Sequence, residues 1–159
     1  MGITVSTGFT AADEGFMQRA LELARHAQDA HEEVPVGAVV VLNGQIVGEG
    51  WNQNISANDP SAHAEIMALR DSGRRLGNYR FPGAELFVTL EPCAMCAGAM
   101  IHARLARVVY AAGDPKTGAA GSVFDTLISP LHNHHIAVEH GLCDEEASAL
   151  LTRFFKLRR

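Results

Sequence analysis

The chain has 159 residues, a length that a single domain covering residues 1–159 accounts for. Hydrophobic residues make up 47% and charged residues 19% of the sequence, a composition that excludes a disordered chain. The net charge of −5 argues against a general nucleic-acid coat protein. Residues 150–159 nevertheless hold four basic residues and no acidic one, so this end of an otherwise acidic chain is able to contact a phosphate backbone.

Turn residues and hydrophobic periodicity predict the elements in chain order. The first half is predicted to contain a helix from a cap at Thr10 or Asp13 to about Ala30, a hairpin of strands 36–42 and 45–49 around Asn43-Gly44, and a helix at 62–71 capped by Asp59 or Ser61. The second half is predicted to contain a strand at 85–90, a helix from Pro92 to about Arg104, a strand at 107–111, a helical turn at 123–128, an edge strand at 136–139 and a helix at 144–157. This order predicts an α/β fold, with a single mixed sheet and helices on both faces.

Cysteine usage and the lack of targeting signals indicate a reducing compartment. Three cysteines are too few for a disulfide framework. The longest apolar run, residues 34–42, is about half of a membrane span. The N-terminus has no basic region followed by an apolar core, as a secretion signal requires. We therefore expect a cytoplasmic protein that does not contact a membrane.

Cys93 and Cys96 are the first candidate metal ligands, because positions i and i+3 share one face of a helix. They follow Pro92 in a predicted first helical turn, where free N–H groups and the helix dipole stabilise thiolates. His63 is the one further ligand that the spacing places well, and thiolates with imidazole select zinc. Three protein ligands leave the fourth position of a tetrahedral zinc for water, as in a catalytic site.

Glu65 is the candidate base for that water. In the middle of a helix, residues two apart point about 200° apart and could not serve one water molecule. Near a helix start, however, His63 and Glu65 are able to bracket a metal from two sides. The other interpretations are a thioredoxin-like redox pair for Cys93 and Cys96, a solvent-facing cap for His63, and an acid favoured by the helix dipole for Glu65. No early strand-CxxC-helix context supports the redox pair.

The pattern H-x-E followed by P-C-x-x-C is the signature of zinc deaminases that act on nucleobases. On this pattern the chain resembles the cytidine-deaminase-like superfamily, and within it the bacterial tRNA-specific adenosine deaminases most closely. The resemblance runs from Val34 to Arg159. Its distinctive stretches are VPVGAV (34–39), GEGWN (48–52), DPSAHAEIMALR (59–70), VTLEPC (88–93), EPCAMCAGA (91–99) and DPKTGAAGS (114–122).

The resemblance implies one Zn²⁺ per chain, held by His63, Cys93 and Cys96, with Glu65 as the proton shuttle. It implies that a hydroxide on the zinc attacks C6 of adenine, which makes inosine at the wobble position of a tRNA anticodon. It further implies that Asn52 contacts the substrate and that the protein is a homodimer.

The remaining candidate residues are expected on the RNA surface or in the core. The resemblance makes Asp114 and Lys116 the expected rim of the RNA pocket. From the helix pattern, Phe154 is expected in the core and Phe155 at the edge of the apolar stripe, where it is able to stack on a base. The basic residues are expected to form either a solvated face or an RNA contact; they are Arg153, Lys156, Arg158 and Arg159. The remaining expectations are polar surface histidines, a buried thiol and a core indole, at His132, His134, His135, His140, Cys143 and Trp51.

Two other functions compete with a tRNA adenosine deaminase. A free nucleobase or nucleoside deaminase, acting on guanine, cytosine or cytidine, would share the zinc motif but would not need the 114–122 loop or the basic C-terminal helix. A zinc-stabilised RNA-binding module without turnover would close its zinc with four protein ligands, and Glu65 argues against it.

Overall fold

The computed structural model describes residues 3–5, for their backbone, and residues 8–158. Six strands form one sheet in the order β1-β6-β5-β4-β2-β3. The strands are β1 (Ile3–Val5), β2 (Gly37–Leu42), β3 (Gln45–Trp51), β4 (Glu85–Leu90), β5 (Arg107–Ala112) and β6 (Ala137–His140). The sheet is mixed, because β1, β6, β5 and β4 run parallel whereas β2 is antiparallel to both of its neighbours.

Four helices cover the two faces of the sheet. They are α1 (Ala11–His31), α2 (Ala64–Leu76), α3 (Ala94–His102) and α4 (Asp144–Leu157). Helices α1 and α4 pack on one face around Phe87 and Val109, and α2 and α3 pack on the other around Leu86 and Val108. This arrangement confirms the predicted α/β fold with a mixed sheet and helices on both faces. No helix in the described part of the chain is long and apolar enough to cross a membrane.

Helices α2 and α3 begin two residues later than predicted. His63, not Asp59 or Ser61, is the N-cap of α2, and Cys93 is the N-cap of α3, which begins at Ala94 and not at Pro92. Asp59 instead accepts hydrogen bonds from the backbone N–H and the hydroxyl of Ser61, which closes the preceding turn. At its other end α2 runs past the predicted residue 71 to a left-handed Gly77.

The sheet has one strand more than predicted. Strand β1 lies in the N-terminal segment and pairs in parallel with β6, so β6 is an inner strand and the predicted edge at 136–139 is wrong. In place of the helical turn predicted at 123–128, residues 126–128 form a single turn closed by a hydrogen bond from Ile128 to Asp125, and residues 123–125 have no regular structure. Of the two predicted caps of α1, Thr10 is the N-cap, and Asp13 is the N3 residue whose carboxylate completes a capping box with the Thr10 backbone N–H.

Two glycines of β3 bring α2 directly onto the sheet. A Cβ added at Gly50 would overlap the carbonyl of Ala64 and the amide of Ala68, and one added at Gly48 would overlap Ser72. The backbones therefore approach at a distance that side chains do not allow. The start of α2, which carries the H-x-E motif, is fixed against the end of β3 in this way.

Candidate active site

His63, Cys93 and Cys96 come together at the starts of α2 and α3. The Nδ1 atom of His63 lies 3.5 Å from the Sγ atom of Cys93 and 3.5 Å from that of Cys96. The three potential ligand atoms all lie within 4.8 Å of one another, which is the spacing of donors around a single ion. One imidazole and two sulfurs at this spacing match the ligand types and the tetrahedral geometry that zinc prefers.

Helix capping explains why these side chains are free to converge. His63 and Cys93 have extended backbones (ψ of 154° and 175°), and neither side chain makes a capping hydrogen bond. Cys96 follows Cys93 by three residues, and its buried side chain lies in the first turn of α3. Both helix N-termini therefore face the cluster, where their dipoles favour the thiolate form of the sulfurs.

Glu65 is buried beside the cluster, with 4% of its surface exposed. Burial raises the pKa of Glu65 to about 7, although the positive charge of His63 and a hydrogen bond with Cys96 oppose this increase. Because His63 precedes the helix with an extended backbone, it does not follow the mid-helix spacing that would point the two side chains apart. The carboxyl is thus positioned to exchange a proton near neutral pH.

The two thiols differ in their affinity for a proton. A hydrogen bond from Cys96 lowers the pKa of Cys93 to about 4, and a hydrogen bond with His63 adds to this effect. The same hydrogen bond, together with burial, raises the pKa of Cys96. The contact with Cys93 also raises the pKa of His63. The shared hydrogen bond therefore favours the thiolate on Cys93 over the thiolate on Cys96.

Asn52 lies at the end of β3 and reaches the start of α2. Its side-chain oxygen accepts a hydrogen bond from the backbone N–H of Ala64 at 2.9 Å, and its own N–H donates to Val36. The residue is buried, with 8% of its surface exposed. Because the oxygen is used in this bond, the side-chain NH₂ is the group that Asn52 has left to offer a ligand. This position is next to His63.

Asp114, Lys116 and Phe155, which were predicted separately, line one cavity of about 670 Å³ between the 114–117 turn and helix α4. Lys156 also lines it. Asp114 shapes the turn itself, because its carboxylate accepts from the backbone N–H groups of Lys116 and Thr117 and from the Thr117 hydroxyl. Lys116 is exposed and Phe155 is 48% exposed. Among the described residues that line this cavity, none belongs to the His63 cluster.

The basic end of α4 is only partly available to a ligand. The guanidinium of Arg158 lies 3.7 Å from the ring centroid of Phe154, which is buried in the core as predicted. Arg153 and Lys156 are exposed. Arg159 lies outside the described residues.

The other residues singled out in the sequence have local partners. Ring nitrogens of three histidines bond to backbone carbonyls, and the fourth histidine stacks on Tyr110; they are His132, His134, His135 and His140. Cys143 is half-buried instead of fully buried, and it accepts a hydrogen bond from Gln18 at 3.5 Å. Trp51 is half-buried between His26 and His31, so its ring lies partly at the surface.

Glu91 is a buried polar residue near the cluster that sequence reasoning missed. Its carboxylate accepts hydrogen bonds from Asp114, Ala120 and Ser122, and only 3% of its surface is exposed. The available signal was an acidic residue between a buried strand and Pro92, a position where an unpaired carboxylate would be costly. The donors lie 23 to 31 residues later, so no local pattern reveals them.

A second cavity, of about 1030 Å³, lies along the outer side of α2 and α3. Its walls are mostly apolar and come from Ile66, Leu69, Phe81, Ala99 and Ala103. Ile66 is the residue that follows Glu65, so this surface and the cluster share the first turn of α2.

Comparison with known proteins agrees with this geometry. Residues 10–112 match the family model of the cytidine and deoxycytidylate deaminase zinc-binding region. The tRNA-specific adenosine deaminase of Haemophilus influenzae is 50% identical over 92% of this chain and 85% of its own length. A solved structure from work on A-to-I editing by tRNA:A34 deaminases at the wobble position is 44% identical, with a TM-score of 0.82 over 86% of this chain and 99% of that chain. The guanine deaminase of Nitrosomonas europaea is 26% identical, with a TM-score of 0.77 over 95% of this chain and 96% of that chain. The chain belongs to the zinc-binding cytidine and deoxycytidylate deaminase family, and within it to the tRNA-specific adenosine deaminases.

Proposed function

We propose that this protein is an enzyme that deaminates adenosine to inosine at the wobble position of a tRNA anticodon, with residues 1–159 acting as one domain. The observation that carries the proposal is the convergence of one imidazole and two thiols beside a buried carboxyl, in a chain that is 50% identical to a tRNA-specific adenosine deaminase. The reaction is hydrolytic, because water replaces the amino group and ammonia leaves.

His63, Cys93 and Cys96 are the proposed ligands of one Zn²⁺ per chain. Two sulfurs and one ring nitrogen within 4.8 Å supply the three protein ligands of a catalytic zinc site. When bound, zinc supplies Lewis acidity and lowers the pKa of water from about 16 to about 7. The structure around these residues orients them for this task, because the two N-capping side chains have no competing hydrogen bond to a helix backbone.

Glu65 is the proposed proton carrier. It accepts a proton from the attacking water and delivers it to N1 of adenine. It then takes the proton of the hydroxyl group now bonded to C6 and gives it to the amino group, which leaves as ammonia while the C6 carbonyl forms. A carboxyl with a pKa of about 7 suits both halves of this cycle, since it takes up and releases a proton at similar cost at neutral pH. Burial therefore gives Glu65 the proton affinity that the reaction needs.

The proposed RNA surface includes Asn52 and the residues around the smaller cavity. The free NH₂ group of Asn52 is placed to donate a hydrogen bond to the nucleotide beside His63. Lys116 and Phe155 face a cavity of about 670 Å³, where an ammonium group and an aromatic ring suit a phosphate and a base, and Asp114 forms the turn that presents Lys116. The exposed Arg153 and Lys156 extend this positive surface along α4.

The proposed partners are the anticodon stem-loop of a tRNA and a second copy of this chain. An apolar cavity of about 1030 Å³ on α2 and α3 supports a homodimer, because a large exposed apolar surface is typical of a protein–protein contact. Light scattering at micromolar concentration checks the dimer. The compartment that follows from a tRNA substrate is the cytoplasm.

The alternative is a deaminase of free bases or nucleosides, which the resemblance to a guanine deaminase structure keeps open. The two functions differ in substrate, so one experiment separates them. Zinc-loaded protein is incubated with an anticodon stem-loop RNA that carries adenosine at the wobble position. Parallel reactions contain free adenosine, guanine, cytosine or cytidine. Inosine in the RNA alone supports the proposal, whereas ammonia from a free base and none from the RNA refutes it.

A further inference from the structure

Glu91 connects the metal-binding turn to the 113–122 loop. It follows β4 directly and precedes Pro92 and Cys93, so it lies two residues before a proposed zinc ligand. Its carboxylate accepts from the backbone N–H groups of Asp114 (2.9 Å) and Ala120 (2.9 Å). It also accepts from the N–H group of Ser122 at 3.2 Å and from the Ser122 hydroxyl. A carboxylate has about four acceptor positions, so the loop uses all of them.

The backbone adds two bonds between the same segments. Ala119 donates to the carbonyl of Pro92 at 2.8 Å, and Glu91 itself donates to Ala112 at 2.8 Å. The loop is therefore attached to the turn that holds Cys93 near both of its ends, at Asp114 and at residues 119–122, and the end of β5 is attached to it at Ala112. One end of the loop also carries Lys116, which faces the smaller cavity.

Gly118 leaves the space that this carboxylate occupies. A Cβ added at Gly118 would lie 2.5 Å from each oxygen of Glu91, a distance that real Cβ atoms do not show. At Gly113, in the same loop, an added Cβ would be in ordinary contact, at 3.6 Å from the same carboxylate. The loop backbone thus packs closely against the Glu91 carboxylate at Gly118, where only glycine fits, and leaves room for a methyl group at Gly113.

We propose that Glu91 is a positioning residue that holds the 113–122 loop against the turn that carries Cys93, so that Lys116 and the loop backbone meet the RNA. Glu91 touches neither the substrate nor the reacting atoms in this proposal, and it acts through the loop. Its effect falls on substrate binding, because the ligand side chains of the cluster do not depend on its carboxylate. The predicted change in activity rests on the proposed function, whereas the predicted change in the order of the loop does not.

Two variants disturb the contact from opposite sides. Glu91→Gln keeps the shape of the side chain, but it turns an NH₂ donor towards backbone N–H donors, so part of the network is lost. Gly118→Ala leaves the carboxylate intact and displaces the loop. Gly113→Ala is the matched control for the glycine change. Asp13→Asn is the control for losing a buried carboxylate, because Asp13 pairs with Arg107 at the opposite end of β4 and β5.

Hydrogen–deuterium exchange and kinetics on the zinc-loaded protein test the proposal. In Glu91→Gln and Gly118→Ala, exchange of the amides in residues 113–122 should rise at least about tenfold. Zinc should stay at one per chain, and KM for the stem-loop RNA should rise about tenfold while kcat changes less than about threefold. Gly113→Ala and Asp13→Asn should change neither the loop exchange nor KM.

Three results would overturn the proposal. They are unchanged loop exchange in Gly118→Ala, loss of zinc together with loop order, and a fall in kcat at constant KM. If Glu91→Gln does not fold, Gly118→Ala and the milder Ser122→Ala, which removes only the hydroxyl donor, decide between these outcomes. If the unmodified protein does not act on the RNA, the proposed function fails, and the exchange measurement still decides whether Glu91 orders the loop.

Discussion

The imidazole of His63 and the thiol of Cys93 lie 3.5 Å apart although 30 residues separate them in the chain, and each residue is the N-cap of its helix. The two helices therefore meet at their positive ends, with the sulfurs between them. Glu65, in the first turn of α2, is buried in the same place. The chemistry of the site depends on how these two helix starts are held together.

Removing the carboxyl of Glu65 should stop the reaction without removing the metal. Glu65→Ala should retain one zinc per chain and lose at least about 100-fold in kcat, since proton transfer by a positioned side chain contributes about 10²–10⁴-fold. Elemental analysis and single-turnover kinetics on the stem-loop RNA measure the two properties. Glu22→Gln, at an exposed position of α1, is the control and should be fully active. An active Glu65→Ala enzyme would exclude Glu65 as the proton carrier.

Substitution of Cys96 and substitution of Cys143 should differ in their effect on zinc. Cys96→Ala should lose the metal, because the loss of a direct ligand costs more than the roughly 10–100-fold that the loss of an outer partner costs. Cys143→Ala is the matched control, since this half-buried thiol lies at the start of α4 and bonds to Gln18. Elemental analysis after dialysis compares the two variants. A Cys96→Ala protein with one zinc per chain would contradict the ligand assignment.

The exposed charges of α4 should contribute to RNA affinity through the phosphates. Arg153→Glu with Lys156→Glu should weaken binding and lower the slope of log K against log[salt] by up to about 1.5, at roughly 0.7–0.9 per phosphate contact. Arg158 is left unchanged, because its contact with the Phe154 ring would confuse a loss of charge with a loss of packing. The control is the double variant Arg25→Glu with Arg80→Glu, because neither residue lines the smaller cavity. An unchanged slope would mean that α4 does not touch the RNA.

The ion pair of Asp13 should make the free energy of unfolding depend on pH in the acidic range. A hydrogen bond from Arg107 is the main cause that lowers the pKa of Asp13 below its ordinary value of 3.8. The unfolded chain therefore binds a proton more readily, so this contribution is complete above pH 3.8 and is lost as the pH falls through the lower, folded-state pKa. Asp13→Asn should cost about 2 kcal/mol of unfolding free energy at pH 7, the scale of a hydrogen bond to a charged group, and this cost should decrease as the pH falls below 3.8. Chemical denaturation across this range measures the difference, with Asp125→Asn as the exposed control. A constant cost at all pH values would contradict the assignment.

Local patterns predicted the hairpin, the four helices and the grouping of His63 with Cys93 and Cys96, because turns, caps and ligand spacing are encoded within a few residues. The exact helix starts were missed, since the residues before α2 and α3 turn their side chains to the cluster instead of capping. Strand β1 was missed because three residues carry little periodicity and their partner lies about 135 positions away. The role of Glu91 depends on donors from a distant loop, which no spacing rule describes.

Strand β1 has a consequence for how the protein is handled in the laboratory. Its three residues pair with the outer edge of β6, so that within the described residues the edge strand on this side is the very short β1 and not β6. A truncation that removes them would uncover backbone groups able to recruit a strand from another molecule. Aggregation of such a shortened protein would then be a defect of its sheet edge and would say nothing about its catalytic centre, so purification tags and fusions are better attached without trimming residues 3–5.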